Sequence, residues 1–362
     1  MCNTLERSYE NRTMKVLGIE TSCDECSAAV VEDGRKVLSN VVATQIPFHA
    51  PFNGVVPEIA SRKHTEWIYA VTKEALDLAG GAGDIDAVAV TGRPGLLGSL
   101  IVGLSFAKSF AWARGIPLIA VDHMKAHLYA SRLIPKDDSA KPDSVPPEYP
   151  FLGLLVSGGH TIICRADGFD DITVLGTTID DAVGEAFDKV AKHYGFGYPG
   201  GAVIDRMARG GNDCAFRFPM PSLHKGDHRH DVSYSGLKNA AINQLDRFRA
   251  KGNAETESLP RDIAASFQKT AIDILLRALF NAVEDSGLST IVAGGGVAAN
   301  SILRERLANR PDIGSVFPPP EFCGDNGAMI AGIGYQYLSL GESSPLGVTA
   351  SARVDGFKKR YP

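Results

Sequence analysis

Cysteine is scarce. Six residues in 362, Cys2, Cys23, Cys26, Cys164, Cys214 and Cys323, lie at spacings that build no disulfide framework, so reduced thiols are expected. Cys23-Asp24-Glu25-Cys26 has the C-x-x-C form, but without a second pair it implies neither a zinc ribbon nor a redox centre. No uninterrupted apolar run approaches the ~18 to 20 residues a membrane span requires, and residues 1–13 are polar with charges of both signs. A cytoplasmic protein with an N-terminal extension and no membrane association is the expectation. Positive charge is not in excess either: the net charge is −5, so a nucleic acid would have to be met by local patches. Candidates are Arg62-Lys63, His224-Lys225 with His228-Arg229-His230, the run 247–251, and Lys358-Lys359-Arg360. A G-x-x-x-x-G-K-[ST] loop is missing, which excludes a Walker-type NTPase. The first apolar run ends in Glu20-Thr21-Ser22 rather than G-x-G-x-x-G, which disfavours a dinucleotide fold.

What is present is an α/β pattern written twice. Residues 15–20, 28–31 and 36–44 read as strands, Pro57 opens a helix to 78, and 85–90 is a strand leading into a glycine turn and a helix over 99–114. A strand over 118–121 delivers the chain to His123. Residues 135–150 are rich in Pro, Lys, Asp and Ser without periodicity, and read as a linker. After it, Leu152-Gly153-Leu154-Leu155-Val156-Ser157 parallels Leu17-Gly18-Ile19-Glu20-Thr21-Ser22, and each is followed by a polar turn, a strand and an Asp-Gly turn. Thr290 to Ala293 with Gly294-Gly295-Gly296 and a helix from Ala298 repeats the later strand, glycine turn and helix. Helices are expected over 180–194, 203–209, 235–249, 261–285 and 326–340. Two lobes of one duplicated pattern follow: 14–134 completed by 322–345, and 151–321, with an extension at 1–13 and a tail at 346–362.

Three glycine turns at strand ends, 91–98, 157–161 and 293–296, suit a nucleotide held between the lobes, because glycine lets backbone N–H groups approach an anion. Asp181, Glu185 and Asp188 fall on one face of the helix expected there, and Asp188 could hold ribose hydroxyls. His123 and His127, four apart on a helix, share a face at metal-chelating spacing. Asp325, in a glycine-flanked loop at a helix start, is the best candidate for a third ligand. Such a set would suit Fe(II) or a catalytic Zn. His224, His228 and His230 compete as a site, but read as a polar loop that no element holds in place.

Seven motifs in order carry a resemblance: residues 18–25, His123-Met124-Lys125-Ala126-His127, 155–161, 185–191, Ser235-Gly236-Leu237-Lys238, 294–300 and 325–329. From about 14 to 340 the chain resembles the tRNA N6-adenosine threonylcarbamoyltransferase family, TsaD, in its bacterial branch. The resemblance implies the actin, Hsp70 and sugar-kinase (ASKHA) fold, two duplicated RNase-H-like lobes around a cleft. It implies transfer of the threonylcarbamoyl group from threonylcarbamoyl-AMP to N6 of the adenosine at position 37 of tRNAs reading codons that begin with A. Residue by residue, it implies metal ligation by His123, His127 and Asp325, with Fe(II) ahead of Zn. It implies adenylate contacts from Leu155, Val156, Ser157, Gly158, Gly159, Asp188, Gly201, Asp205 and Asn300, and Asp24 as the catalytic aspartate. Binding of ATP or ADP, contact with the tRNA anticodon loop, and helper proteins resembling the TsaB paralogue and the TsaE ATPase are implied as well. Cys26, Gly324 and the Val232-Ser233-Tyr234 stretch depart from the family's usual residues without removing a ligand or carboxylate.

Two other readings stand beside it. A metalloprotease of the O-sialoglycoprotein endopeptidase kind would use the histidine pair, but His-Glu-x-x-His places a general-base glutamate where this chain has Met124. A nucleotide-gated scaffold would leave the histidine pair unexplained.

Overall fold

The chain opens with strands β1 (Lys15–Glu20), β2 (Glu25–Glu32) and β3 (Lys36–Thr44). They are followed by a short helix α1 (Ile46–His49), the long helix α2 (Pro57–Leu78), strand β4 (Ala87–Arg93), helix α3 (Leu97–Arg114), strand β5 (Leu118–Asp122) and helix α4 (His123–Tyr129). Then come β6 (Phe151–Val156), β7 (Thr161–Ala166), β8 (Ile172–Thr177), and helices α5 (Val183–Tyr194), α6 (Gly200–Ala208), α7 (Ser235–Ile242), α8 (Gln244–Ala250) and α9 (Leu259–Ser286). Strand β9 (Thr290–Gly294), helix α10 (Ser301–Ala308), strand β10 (Gly314–Val316) and helix α11 (Gly327–Ser339) complete it. This computed structural model describes residues 12–52, 54–136, 146–223, 226–251 and 258–353. The expected extension falls almost wholly outside the described residues, as do much of the linker, His224-Lys225 and the basic tail.

The duplication is explicit in the sheets. One has the order β3-β2-β1-β4-β5, and the other, read in the same direction, β8-β7-β6-β9-β10. In each, the first strand pairs antiparallel with the second and parallel with the fourth, and the hairpin of second and third strands carries one register shift. The two lobes therefore have one topology, that of the ASKHA fold.

Burial on both faces explains the apolar strands. Leu17 and Ile19 of β1 face a core with Ile68, Val71 and Ala75 of α2 and Leu104 and Ala107 of α3, while Val16 faces another with Ala328, Ile330 and Ile333 of α11. Helix α11 lies in backbone contact with β1. A Cβ at Gly18 would stand 2.1 Å from the carbonyl oxygen of Gly327, so only glycine admits the helix this close.

Helix α4 sits between the sheets. Ala126 and Tyr129 join the first-lobe core, whereas Met124 and Leu128 pack with Leu155, Ile162 and Cys164 of the second sheet. Gly294, ending β9 of the second sheet, also abuts this helix, where a Cβ would come within 2.4 Å of the His127 carbonyl oxygen.

Three expected helices differ, the one expected over 203–209 beginning already at Gly200 and so taking Gly201 into its first turn. That expected from Asp180 starts at Val183, because Asp180 accepts hydrogen bonds from the N–H groups of Tyr234 and Ser235 and so serves the start of α7 instead. Asp181 thus lies before α5, so helical periodicity does not align it with Glu185 and Asp188; it meets Glu185 through Lys189, which bonds to both at 2.8 and 2.7 Å. The helix expected over 235–249 is interrupted at Asn243, a residue of modest helix propensity. Beyond α11, the N–H groups of Ser344 and Ser351 bond to Leu118 and Gly92, so residues 344–351 run along the first lobe. No described helix is long and apolar enough to cross a membrane.

Candidate metal centre and adenylate cleft

Asp122 starts helix α4 as its N-cap, accepting from the N–H groups of Met124 (2.9 Å) and Lys125 (3.4 Å). The cap fixes the first turn, so His123 and His127 project on the same side. Their Nε2 atoms are 3.1 Å apart, and Asp325 Oδ1 lies 3.5 Å from the first and 3.2 Å from the second. The structure thus brings the three candidate ligands together from opposite ends of the chain, with all donor atoms within 4.8 Å of one another.

Asp325 is held by the start of α11. Asn326 caps that helix through Met329 N–H (3.0 Å) and donates its amide to the carbonyls of Phe322 (3.2 Å) and Gly324 (2.8 Å). Gly327 N–H bonds to Ser27 Oγ at 2.8 Å, which ties the loop to β2.

Glu20 completes the arrangement. Its carboxylate, fully buried at the end of β1, lies 3.0 Å from His123 Nδ1 and accepts from the Thr91 hydroxyl and the Ser22 N–H. A buried carboxylate on the far ring nitrogen orients a metal-binding histidine and raises its basicity. Burial disfavours a charge on His123, yet the charges of Glu20 and Asp325 prevail and push it up to about 9. Burial and the neighbouring His123 instead depress His127. Asp325, despite burial, is held well below the carboxylate range by both histidines. Two imidazole nitrogens and one carboxylate oxygen converging in this way fit a divalent ion with open positions. His160 faces the same charges, and burial takes it down to about 4.

Asp24 stands in the β1–β2 turn, 7% exposed. Its charge acts on Asp188 and Tyr198 of the second lobe. Asp188, on α5, accepts from the Gly200 N–H at 2.7 Å and from that of Gly201, both at the start of α6. Burial raises its carboxyl to about 6 against those two bonds. Asp205 Oδ1 is already committed, accepting from Gln268 Nε2 (2.6 Å), Ser301 Oγ (2.7 Å) and Ser301 N–H (3.1 Å). It fixes the start of α10, where Asn300 Oδ1 caps the Leu303 N–H at 3.1 Å. Ser157 closes the β6–β7 turn by two bonds with His160, leaving Gly158 and Gly159 exposed at the tip. Leu155 and Val156 bury their side chains in different cores, so either could meet a ligand only through its backbone.

The remaining candidates separate. Of the histidine loop, His228 bonds to Asp231 and His230 to Asp285, with no shared centre between them. Cys26 is buried in the first-lobe core, and burial pushes it up to about 12. Arg62 and Lys63 are paired with Glu58 and Glu66, each at 2.6 Å. Met124 is 2% exposed and packs against Leu155, Ile162 and Cys164 of the second sheet, and it offers the histidine pair no general base.

Comparison with known proteins finds relatives over nearly the whole chain. A family model described as TsaD, tRNA N6-adenosine threonylcarbamoyltransferase, matches residues 36–332. The Treponema denticola protein of that name is 62% identical over 348 residues, which cover 96% of this chain and 99% of the relative. One from Borreliella burgdorferi is 48% identical over 350 residues, 96% of each chain. In fold alone, the chain is similar to component A of the (R)-2-hydroxyglutaryl-CoA dehydratase of Acidaminococcus fermentans, with a TM-score of 0.51, 13% identity, and 90% of this chain and 99% of that one covered. It is likewise similar to full-length HypF in its phosphate- and nucleotide-bound form, with a TM-score of 0.54, 14% identity, and 90% of this chain and 56% of that one. Since the family model spans most of the sequence and these relatives match it nearly end to end, the chain belongs to the tRNA N6-adenosine threonylcarbamoyltransferase family, TsaD.

Proposed function

We propose that the cleft transfers the threonylcarbamoyl group from threonylcarbamoyl-AMP to N6 of adenosine 37 in tRNAs that read codons beginning with A. The observation that carries this reading is the convergence of His123, His127 and Asp325 beside His160, which follows the glycine turn ending β6. His123, His127 and Asp325 would hold one divalent metal, Fe(II) ahead of Zn, which when bound supplies Lewis-acid polarisation to the carbamoyl group. Glu20 keeps the His123 ring turned toward that ion.

The adenine amine is a weak nucleophile, because its lone pair is delocalised into the ring. As its N6–C bond forms, the C–O bond to the phosphate breaks, AMP leaves with the electron pair, and N6 gives up a proton. Asp24 orients the amine and accepts that proton. Gly158 and Gly159 take the phosphate of the leaving AMP with backbone N–H donors, while Ser157, whose own N–H is bonded to the His160 carbonyl, closes the turn and Leu155 and Val156 hold it in place. Asp188 accepts from the ribose hydroxyls beside Gly201. Asn300, its carbonyl oxygen committed to capping, turns its amide N–H toward the nucleotide, and Asp205 secures the segment behind it. The same pocket would admit ATP or ADP.

The acceptor is a single-stranded anticodon-loop base that can be splayed out, so local basic groups suffice and binding should weaken with salt. Helper proteins resembling the TsaB paralogue and the TsaE ATPase would assist; α2 and α3 expose Tyr69, Leu78, Ile101 and Trp112 to a partner. The test supplies the protein with threonine, bicarbonate, ATP, the adenylate-forming enzyme and unmodified tRNA, with and without helpers. Modified nucleoside should form with wild type and be lost with Asp24→Ala, which keeps its metal, and with His123→Ala, which does not. Full transfer by Asp24→Ala, or by metal-free protein, would refute the respective role.

A further inference from the structure

The turn that carries Asp24 is fastened by its backbone. Three consecutive carbonyls are taken by three separate elements: Ser22 O by the Leu96 N–H (2.8 Å), Cys23 O by His64 Nε2 (2.9 Å), and Asp24 O by the Gln45 N–H (3.0 Å). Only the middle tie of these three is made by a side chain. His64 rises from the second turn of α2, is wholly buried, and crosses 41 residues of sequence to reach the turn.

We propose that His64 is a positioning residue for the transfer reaction, holding through the Cys23 carbonyl the backbone on which Asp24 stands. This rests on the role of Asp24 given above.

Because a carbonyl can only accept, His64 Nε2 must carry the proton. His64 Nδ1 is buried with no partner among the described residues, so a second proton there would have nothing to bond. The ring is therefore a neutral donor in one tautomer, and burial lowers its proton affinity in the same sense.

A buried polar group that serves packing alone could be replaced by an apolar one of similar shape. This one is built into a network instead. Gln45, whose N–H holds Asp24 O, donates its side-chain amide to Ala60 O of α2 (3.3 Å) and accepts on its side-chain oxygen from His49 Nε2 (3.2 Å), and His49 Nδ1 in turn accepts the Val56 N–H (3.2 Å). Helices α1 and α2 thus form one support under the turn, and His64 is its direct contact with the segment before Asp24. Displacing that segment by about 1 Å is enough to cost on the order of 100-fold in rate when the displaced group must meet a reacting atom.

The test compares His64→Leu, which keeps bulk and removes the donor, with His64→Gln, whose amide nitrogen stands the same number of bonds from the backbone. Transfer is measured with saturating adenylate and varied tRNA, and metal content and melting temperature are recorded for each variant. We expect His64→Leu to lower kcat at least tenfold with KM for tRNA within about twofold and metal retained, and His64→Gln to recover most of that loss. Over the residual transfer that Asp24→Ala retains, followed at high enzyme and long times, adding His64→Leu should cause no further loss, because a residue acting through Asp24 has nothing left to position. Wild-type kcat in His64→Leu, a rise in KM alone, additive losses with Asp24→Ala, or a His64→Gln protein that folds yet is as slow as His64→Leu would each overturn the proposal. An active Asp24→Ala protein would instead overturn the assignment of Asp24 on which it rests.

Discussion

Replacing Asp188 by asparagine should stabilise the unliganded protein at neutral pH while weakening its hold on the adenylate. Asp188 is mostly buried, and its carboxyl is raised from 3.8 to about 6 chiefly by that burial, with Asp24 and Glu185 adding like charge. A raised acid favours the fold while protonated, so its contribution is intact below the unfolded value and is lost as pH rises toward the folded one. The shift corresponds to roughly 3 kcal/mol of destabilisation above pH 6, at about 1.36 kcal/mol per unit. Asparagine keeps an oxygen for the Gly200 N–H, now 2.7 Å away, and carries no charge. Denaturant midpoints of wild type and Asp188→Asn compared at pH 4.5 and 7.5 should therefore diverge as pH rises, by about 2 kcal/mol across that interval, with the variant the more stable at 7.5. Adenylate binding should weaken about tenfold or more, since hydrogen bonds to a charged acceptor contribute roughly 1.5–3 kcal/mol. A stability gap independent of pH would show that the carboxylate is not strained by folding, and unimpaired adenylate binding would remove Asp188 from the site.

Glu20→Gln should weaken metal binding about 10- to 100-fold, read by competition with a chromophoric chelator, because the amide leaves His123 without its carboxylate partner; unchanged affinity would refute the role. Met124→Glu would supply the glutamate of a His-Glu-x-x-His sequence, but it faces Leu155, Ile162 and Cys164 rather than the metal site. It should lower stability by about 3 kcal/mol or more without creating proteolysis. Thermal melting and a casein assay check both, and peptide cleavage by this variant would restore the peptidase reading.

The duplicated architecture was legible because each lobe repeats a local pattern, an apolar strand, a polar turn and an Asp-Gly hairpin, that needs no long-range information. His123 and His127 were legible for the same reason, since helical periodicity alone aligns them. Asp325 was suggested by its glycine-flanked helix start, and its placement depends on the contact of α11 with β1 that Gly18 permits. Glu20 was not assigned a role, because it reads as the last residue of a buried strand and its partner lies 103 residues away. The available signal was a charge closing an otherwise apolar run, which a folded chain tolerates only with a partner. Asp180 and Asp181 misled because paired acids before an amphipathic segment resemble a helix start. Here Asp180 caps a different helix, 54 residues on, which no local pattern reports.

Helix α4 has a mechanical consequence. With Met124 and Leu128 seated in one sheet and Ala126 and Tyr129 in the other, it lies where a pin lies in a hinge. Any rotation of the lobes about this axis moves nearby points least and distant points most. His123 and His127 are carried by that helix, so an ion held there would move little in such a swing, while Asp24 of the first lobe and Asp188 of the second would move relative to each other. A pivot on α4 would thus leave the histidine pair in place and vary the gap between the lobes.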